Sequence, residues 1–260
     1  MKKFIIFILL LIGMISPEKI FSQKNGESFK RLSTAMFENL MLSNRVIRDY
    51  VFIISKNFKT KSIQDMDKTL GRFDYNMNLI SNYLPEDKKL KEKFDNFKYY
   101  INQSRLELMD FENPNYESFI RNLQQSFDEN REIADKILEK QLDFKKNKKI
   151  ITKLTILYDL VNEVEKIAID YILKNYNHHT KGYLDTNLKQ VRKKIKELSK
   201  TKKLSPKAVA ILSEMRDNYK LISDLVENPS FRPKMMYVYV NNFASKAFKL
   251  LPQFINLYSN

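Results

Sequence analysis

Cysteine is absent from the 260 residues, and so is tryptophan. Without a thiol the chain has no disulfide, no thiolate nucleophile, no cysteine metal site and no lipid-carrying cysteine behind a leader. Glycine occurs only at Gly13, Gly26, Gly71 and Gly182. Hairpins, nucleotide loops and tight turns rely on residues at positive φ, so this scarcity argues against folds built on them. Histidine is scarcer still. His178 and His179 stand side by side, and neighbouring side chains point apart; no H-E-x-x-H or carboxylate pattern surrounds them. They read as a solvated pair, and no metal ligands are assigned. No G-x-S-x-G, phosphate loop or dinucleotide fingerprint occurs. Glu163 and Glu165 are two apart, which sets them on different helix faces; Glu163 with Lys166, and Glu139 with Asp143, read as surface charge. These absences point to a protein that is not an enzyme and holds no cofactor.

Long apolar runs are missing as well, except at the start. Lys2 and Lys3 precede an apolar stretch over residues 4–15, interrupted only by Gly13, and Ser16 and Pro17 then break it. The stretch is too short for a membrane span, which needs ~20 residues, and has the length of a secretory h-region. A cleaved signal peptide over residues 1–22, ending on small Ser22, is expected, with a mature chain exported to the periplasm or the exterior. Lys and Arg number 46 against 31 Asp and Glu, a net charge of +15. For an exported chain this balance suits anionic lipid or an acidic envelope polysaccharide, not nucleic acid.

What the mature chain has in quantity is apolar residues at alternating spacings of three and four. Ile63, Met66, Leu70, Phe73, Met77, Ile80 and Leu84 form one such seam. Ile150, Leu154, Leu157, Val161, Val164, Ala168 and Tyr171 form a second; Leu184, Leu188, Val191, Ile195 and Leu198 a third; and Met236, Val240, Phe243, Ala247, Leu250, Phe254 and Leu257 a fourth. This is helical periodicity, and no comparable strand alternation accompanies it, so the fold class is all-α. Prolines punctuate the pattern at Leu84-Pro85, Asn113-Pro114, Ser205-Pro206 and Asn228-Pro229. Eight helices are expected, at about residues 28–58, 62–83, 86–110, 115–143, 147–176, 181–200, 205–227 and 231–258, with short connections that force antiparallel neighbours.

The eight divide into two sets of four. Phe111-Glu112-Asn113-Pro114-Asn115-Tyr116 recurs as Val226-Glu227-Asn228-Pro229-Ser230-Phe231, and Asp49-Tyr50-Val51 as Asp170-Tyr171-Ile172. The expectation is tandem antiparallel four-helix bundles, over residues 24–146 and 147–260, each long enough to be autonomous. Residues 145–149 contain neither proline nor glycine, which leaves open a continuous rod joining the sets. Phe94, Phe97, Phe127, Phe144 and Phe243 read as core. Tyr99-Tyr100 and Tyr237-Val238-Tyr239 place phenols where a partner could meet them.

Two groups of residues read as candidate sites. The first is a basic run in which Lys193, Lys194, Lys196, Lys200, Lys202 and Lys203 meet a single interleaved acid, Glu197. Clustered lysines attract anionic lipid or wall polymer without needing fixed geometry. The second is the stretch from Glu38 to Tyr50 in the first helix, Glu-Asn-Leu-Met-Leu-Ser-Asn-Arg-Val-Ile-Arg-Asp-Tyr. Ser43 and Asn44 interrupt an apolar face there, and an unsatisfied buried polar group costs ~1–3 kcal/mol. They either bond across the bundle or line a polar cavity. Arg45 and Arg48 flank them, placed to hold a small anion through two-pronged bonds or to form ion pairs with Asp49 or Glu38.

This stretch resembles the signature in the periplasmic helical module of type IV pili methyl-accepting chemotaxis transducers. Met41, Leu42, Ser43 and Arg45 match, and Asn44 stands for a glutamine. The signature's first arginine is replaced by Leu40 and the glycine before it is missing, so the nitrate site of related sensor kinases does not carry over. The second set, at Asn162-Glu163-Val164-Glu165-Lys166, keeps only a basic residue at the place of Arg45. The resemblance implies an antiparallel four-helix module, present twice, that recognises a small ligand or partner protein through its helix faces; the polar interruption itself makes Ser43, Asn44, Arg45 and Arg48 the candidate ligand-binding residues. The resemblance also implies a separate membrane-bound sensor or envelope protein as partner and leaves a homodimer open.

Overall fold

Spacings of three and four become helices throughout the described residues, and no strand occurs among them. The structure, a computed structural model, describes residues 17–82, 87–108, 123, 127, 129, 131–134, 136, 144–174, 181–228 and 230–257. The helices are α1 (Pro17–Ile54), α2 (Lys59–Ser81), α3 (Lys88–Leu108), α4 (Phe144–Leu173), α5 (Lys181–Ser199), α6 (Pro206–Glu227) and α7 (Pro233–Asn256). Described residues between 123 and 136 are helical too. The leader before residue 17, the histidine pair, the Asn113-Pro114 break and the junction just before Phe144 lie outside the described residues.

The first helix starts earlier and stops sooner than its periodicity suggested. Pro17 has the fixed φ of a first-turn residue, and no further proline occurs before Ile54. Gly26 alone costs the helix only about 1 kcal/mol. At the other end, Lys56 and Phe58 both adopt φ 57°, a left-handed geometry that breaks the helix in the absence of glycine. That turn aims the Phe58 ring edge-on at Tyr237, with 5.2 Å between centroids. Before α6, Ser205 accepts a hydrogen bond from the Ala208 amide at 3.1 Å, and Pro206 fills the first turn.

Contacts pair early residues of one helix with late residues of the next, as antiparallel neighbours must. Between α4 and α5, Lys153 faces Glu197 (3.9 Å), Glu163 faces Lys194 (3.7 Å), and the Asn187 amide donates to Asp170 (3.2 Å). Between α6 and α7, Glu214 meets Lys246 while the Ser205 hydroxyl donates to Gln253. The four helices α4 to α7 close a ring, each packed on the next and α7 returning to α4. In the other half, α1 packs along α2, and Phe73 of α2 reaches Phe97 of α3 and Phe127, each at 5.9 Å.

The two sets share their interior. Helix α1 packs on α4 and α7 as well as on α2, and buried apolar residues of both sets belong to one cluster. From Ala35 to Ile53 almost every side chain of α1 is buried, on all faces and not along one stripe. A helix apolar all round is an interior helix. No described helix is long and apolar enough to cross a membrane.

Gly71 is an exposed residue in the middle of α2, and a Cβ placed there meets nothing within 4 Å. Gly71→Ala is expected to raise stability by about 0.5–1 kcal/mol, because only helix propensity changes. Urea denaturation of the two proteins checks it; a loss of stability would place α2 against something at that point.

Candidate functional site

Arg48 sits at the centre of the polar chemistry, and it has no exposed surface. Its Nε and Nη2 donate to Asp49 Oδ1 at 3.0 and 2.6 Å, and its Nη1 donates to Glu165 Oε2 of α4 at 2.8 Å. The guanidinium carbon lies 4.7 Å from the centre of the Tyr237 ring of α7. The Tyr237 hydroxyl donates to Asp65 Oδ2 of α2 at 3.0 Å, and Lys61 closes the chain on Asp65 Oδ1 at 2.8 Å. Arg45, one turn before Arg48, donates from Nη2 to Asn241 Oδ1 of α7 at 2.9 Å. Four helices therefore meet at one set of charged groups: α1, α2, α4 and α7.

Burial opposes the charge on Arg48, but Asp49 and Glu165 outweigh it and hold the guanidinium above its ordinary range. The carboxyls respond in the opposite way. Burial pushes Asp49 and Glu165 up, against the pull of Arg48 and Arg45. Burial also opposes the charge of Asp65, yet its hydrogen bonds from Lys61 and Tyr237 keep it below the usual carboxylate range. Asp49 Oδ2 and Glu165 Oε1 are buried without a hydrogen-bond partner among the described residues. One guanidinium thus serves two fully buried carboxyls and leaves one oxygen of each uncompensated.

Against this geometry the sequence-derived site residues separate. Ser43 is buried, and its hydroxyl donates to the Asn39 carbonyl one turn back at 3.0 Å, so it is satisfied within its own helix. Arg48 is spent on Asp49 and Glu165. Asn44 is half-buried. Arg45 alone among the four lines a surface hollow, of about 240 Å³, between α1, α2 and α7. Lys68 and Arg72 of α2 add positive charge to its wall, Glu38 and Asp65 negative charge, and Phe248 an apolar side. Glu38 is already engaged by Arg72 (2.9 Å) and Asn76 (3.0 Å).

Of the basic run, Lys193, Lys196, Lys200, Lys202 and Lys203 are exposed, whereas Lys194 turns inward towards Glu163 at 3.7 Å. Tyr237 is buried in the charged cluster, not offered to a partner, because the turn of α7 that carries Met236 faces the core. Phe94, Phe97, Phe127 and Phe243 are core. Among the described residues no cluster of His, Asp and Glu is arranged to hold a metal ion.

Glu165 escaped the sequence reading, although a signal for it existed. It stands four residues after Val161 and three before Ala168, which makes it a polar interruption of the α4 seam just as Ser43 is of α1. Spacing from Glu163 placed the two on different faces correctly, since Glu163 faces Lys194 and Glu165 faces Arg48. What spacing did not supply was the partner, 117 positions away. No protein-family model, curated protein or solved structure matches the chain.

Two outcomes follow from these charges. Arg48→Ala is expected to destabilise the fold by about 3–5 kcal/mol, since it leaves two carboxyls buried without a cation. In a double-mutant cycle Arg48→Ala with Glu165→Ala is expected to cost less than the sum of the singles, and strict additivity in urea denaturation would show that the pair is not coupled. Asp170 supplies the second outcome. Burial pushes it up to about 6, Lys166 opposes and Glu163 adds to the rise. Its folded pKa lies above the unfolded value near ~3.9, so its contribution to stability is present at acid pH and is lost as pH rises through about 6. Asp170→Asn, which still accepts from Asn187, is expected to gain about 1–2 kcal/mol at pH 8 and nothing near pH 4, after allowance for its partial exposure. Melting curves at the two pH values check it.

Proposed function

We propose that this chain is an exported, non-enzymatic helical protein of tandem four-helix bundles, similar to the sensory module of chemotaxis transducers, which binds a small ligand through the face of α1. The observation that carries the reading is the position of Arg45. It is the cation of the signature stretch that lines an open hollow, together with Glu38 and Leu42 of its own helix and with Asp65, Lys68 and Arg72 of α2. A wall with both signs of charge suits a small zwitterion or carboxylate: the planar guanidinium takes the carboxylate, and an acid takes an ammonium group. A membrane-bound sensor or envelope protein is the partner through which such a protein would act, and a homodimer is the simplest assembly in which two copies could engage it.

A second reading rests on the exposed lysines. Lys193, Lys196, Lys200, Lys202 and Lys203 stand at the surface along α5 and the turn after it. A scaffold that binds anionic lipid or cell-wall polymer would use such a face, with affinity that falls steeply in salt.

Thermal shift against a panel of small carboxylates and amino acids tests the first reading. A ligand that raises the parent's Tm is expected to lose most of that shift in Arg45→Gln, because only binding to the folded state moves the transition. Arg45 also acts electrostatically on Asp49 and Glu165, so Lys68→Gln, which lines the hollow outside that cluster, is the companion variant and is expected to weaken the shift as well. A ligand that stabilises parent and both variants equally binds elsewhere, and the reading then fails.

A further inference from the structure

Helices α5 and α6 are joined by a short turn, yet a groove of about 560 Å³ runs between them. Two basic pairs line it. Arg192 and Lys196 lie one helical turn apart on α5, and Arg216 and Lys220 lie one turn apart on α6. All four are exposed. The floor is fixed by the Tyr219 hydroxyl, which donates across the groove to the Leu188 carbonyl at 3.0 Å, and by apolar Ile195. Arg216 reaches across to Ser199 at 3.5 Å.

The balance of charge here is one-sided. Among the described residues none of Arg192, Lys196 and Arg216 has an ion-pair partner, and Glu197, the acid nearest to them on α5, faces Lys153 instead. Lys220 is held only loosely, by Asp217 at 3.7 Å with both side chains well exposed. Asp224 is the acid that lines the groove, towards the α6 end opposite Arg192. Beyond Lys196 the positive strip continues through Lys200 to Lys202 and Lys203, all exposed. Cations one turn apart are separated by about 6 Å of helix rise, so the strip from Arg192 to Lys200 alone covers about 12 Å.

We infer that the α5–α6 groove is a binding site for a linear polyanion, a chain that carries a phosphate or carboxylate on every repeat. The inference deepens the second reading above and rests on it. A flat bilayer meets the rim lysines but cannot follow two rows of cations down to the tyrosine floor. A single small anion would satisfy one basic pair and leave the other uncompensated. An extended chain with repeated charge is matched to both rows at once, and the two arginines can engage its oxyanions with two-pronged bonds.

The test uses the full-length mature protein and fluorescence or calorimetric binding. The probes are long-chain inorganic polyphosphate, polyglutamate, inorganic phosphate, and vesicles of equal parts phosphatidylglycerol and phosphatidylcholine. The parent is expected to bind at least one of the two polymers, and inorganic phosphate far more weakly at equal phosphate concentration. The groove variant Arg192→Gln/Lys196→Gln/Arg216→Gln is expected to lose about tenfold or more in polymer affinity, and the slope of log affinity against log salt is expected to fall by about two to three. Lys88→Gln/Lys89→Gln/Lys91→Gln removes the same charge from exposed positions of α3 and is expected to change affinity less than threefold. Unchanged helicity and Tm show that each variant is folded.

Other results overturn the inference in distinguishable ways. If Lys193→Gln/Lys200→Gln/Lys202→Gln/Lys203→Gln abolishes binding while the groove variant retains it, the groove fails and the surface reading stands. If vesicles compete fully with polymer and depend on the same three groove residues, the ligand is a lipid surface. If the parent binds neither polymer nor vesicles, or if every variant binds as the parent does, both the groove and the surface reading fall.

Discussion

Placing a guanidinium with no solvent exposure inside an all-helical core requires acids to come to it, and the rest of this structure is arranged around that requirement. Arg48 draws Asp49 from its own helix and Glu165 from α4, and stacks on Tyr237 of α7, which is tied in turn to Asp65 of α2. A buried charge pair returns little net stability compared with apolar packing of the same volume, because desolvation consumes most of the attraction. Its effect is on register. An α1 slipped by one turn would carry Arg48 away from Glu165 and leave the buried charges unpaired, which is far worse than a misplaced leucine. That gives one alignment of four helices a large advantage over its neighbours.

The same cluster explains why the signature stretch divides as it does. Met41, Ser43 and Arg48 serve the interior, Leu42 is buried yet contributes to the lining of the hollow, and Arg45 touches both the cluster and the hollow. Its Nη2 is fixed by Asn241, and its charge acts on Asp49, Asp65 and Glu165. A ligand anion at the hollow would therefore be felt by the buried carboxyls through Arg45.

Charge on the outside follows a different rule. The α5 lysines divide by helical position: Lys194, on the inner side, finds Glu163, while Lys193 and Lys196 are exposed, as is Lys200 just beyond the helix. On α6, Arg216 and Lys220 turn towards α5 and convert a one-helix stripe into a two-walled groove. Nothing in the spacing within α6 announces this, because Glu214, Asp217, Asp224 and Glu227 make that helix look charge-balanced in sequence. The positive groove arises from which face of α6 meets α5.

Helix class, and the bounds of α2 to α7 to within a few residues, were legible in the sequence, because three-and-four spacing and proline punctuation are local consequences of helix geometry. The limits of α1 were less legible: its tail ends in a left-handed turn built without glycine, at Lys56 and Phe58, and local propensity carries no mark of a geometry that tertiary packing enforces. The polar interruption at Ser43 was visible as an interruption, and Glu165 only as a residue on a different face from Glu163; the partners of neither were visible. Ser43 turned back onto Asn39, whereas Arg48 reached across 117 positions to Glu165. Sequence alone determined that Ser43 breaks an apolar face and that Glu163 and Glu165 lie on different faces, since periodicity is read within one helix. Only the tertiary structure decided which of them is satisfied inside, which lines a hollow and which basic residues face one another, because those outcomes depend on the neighbouring helix that desolvates each group.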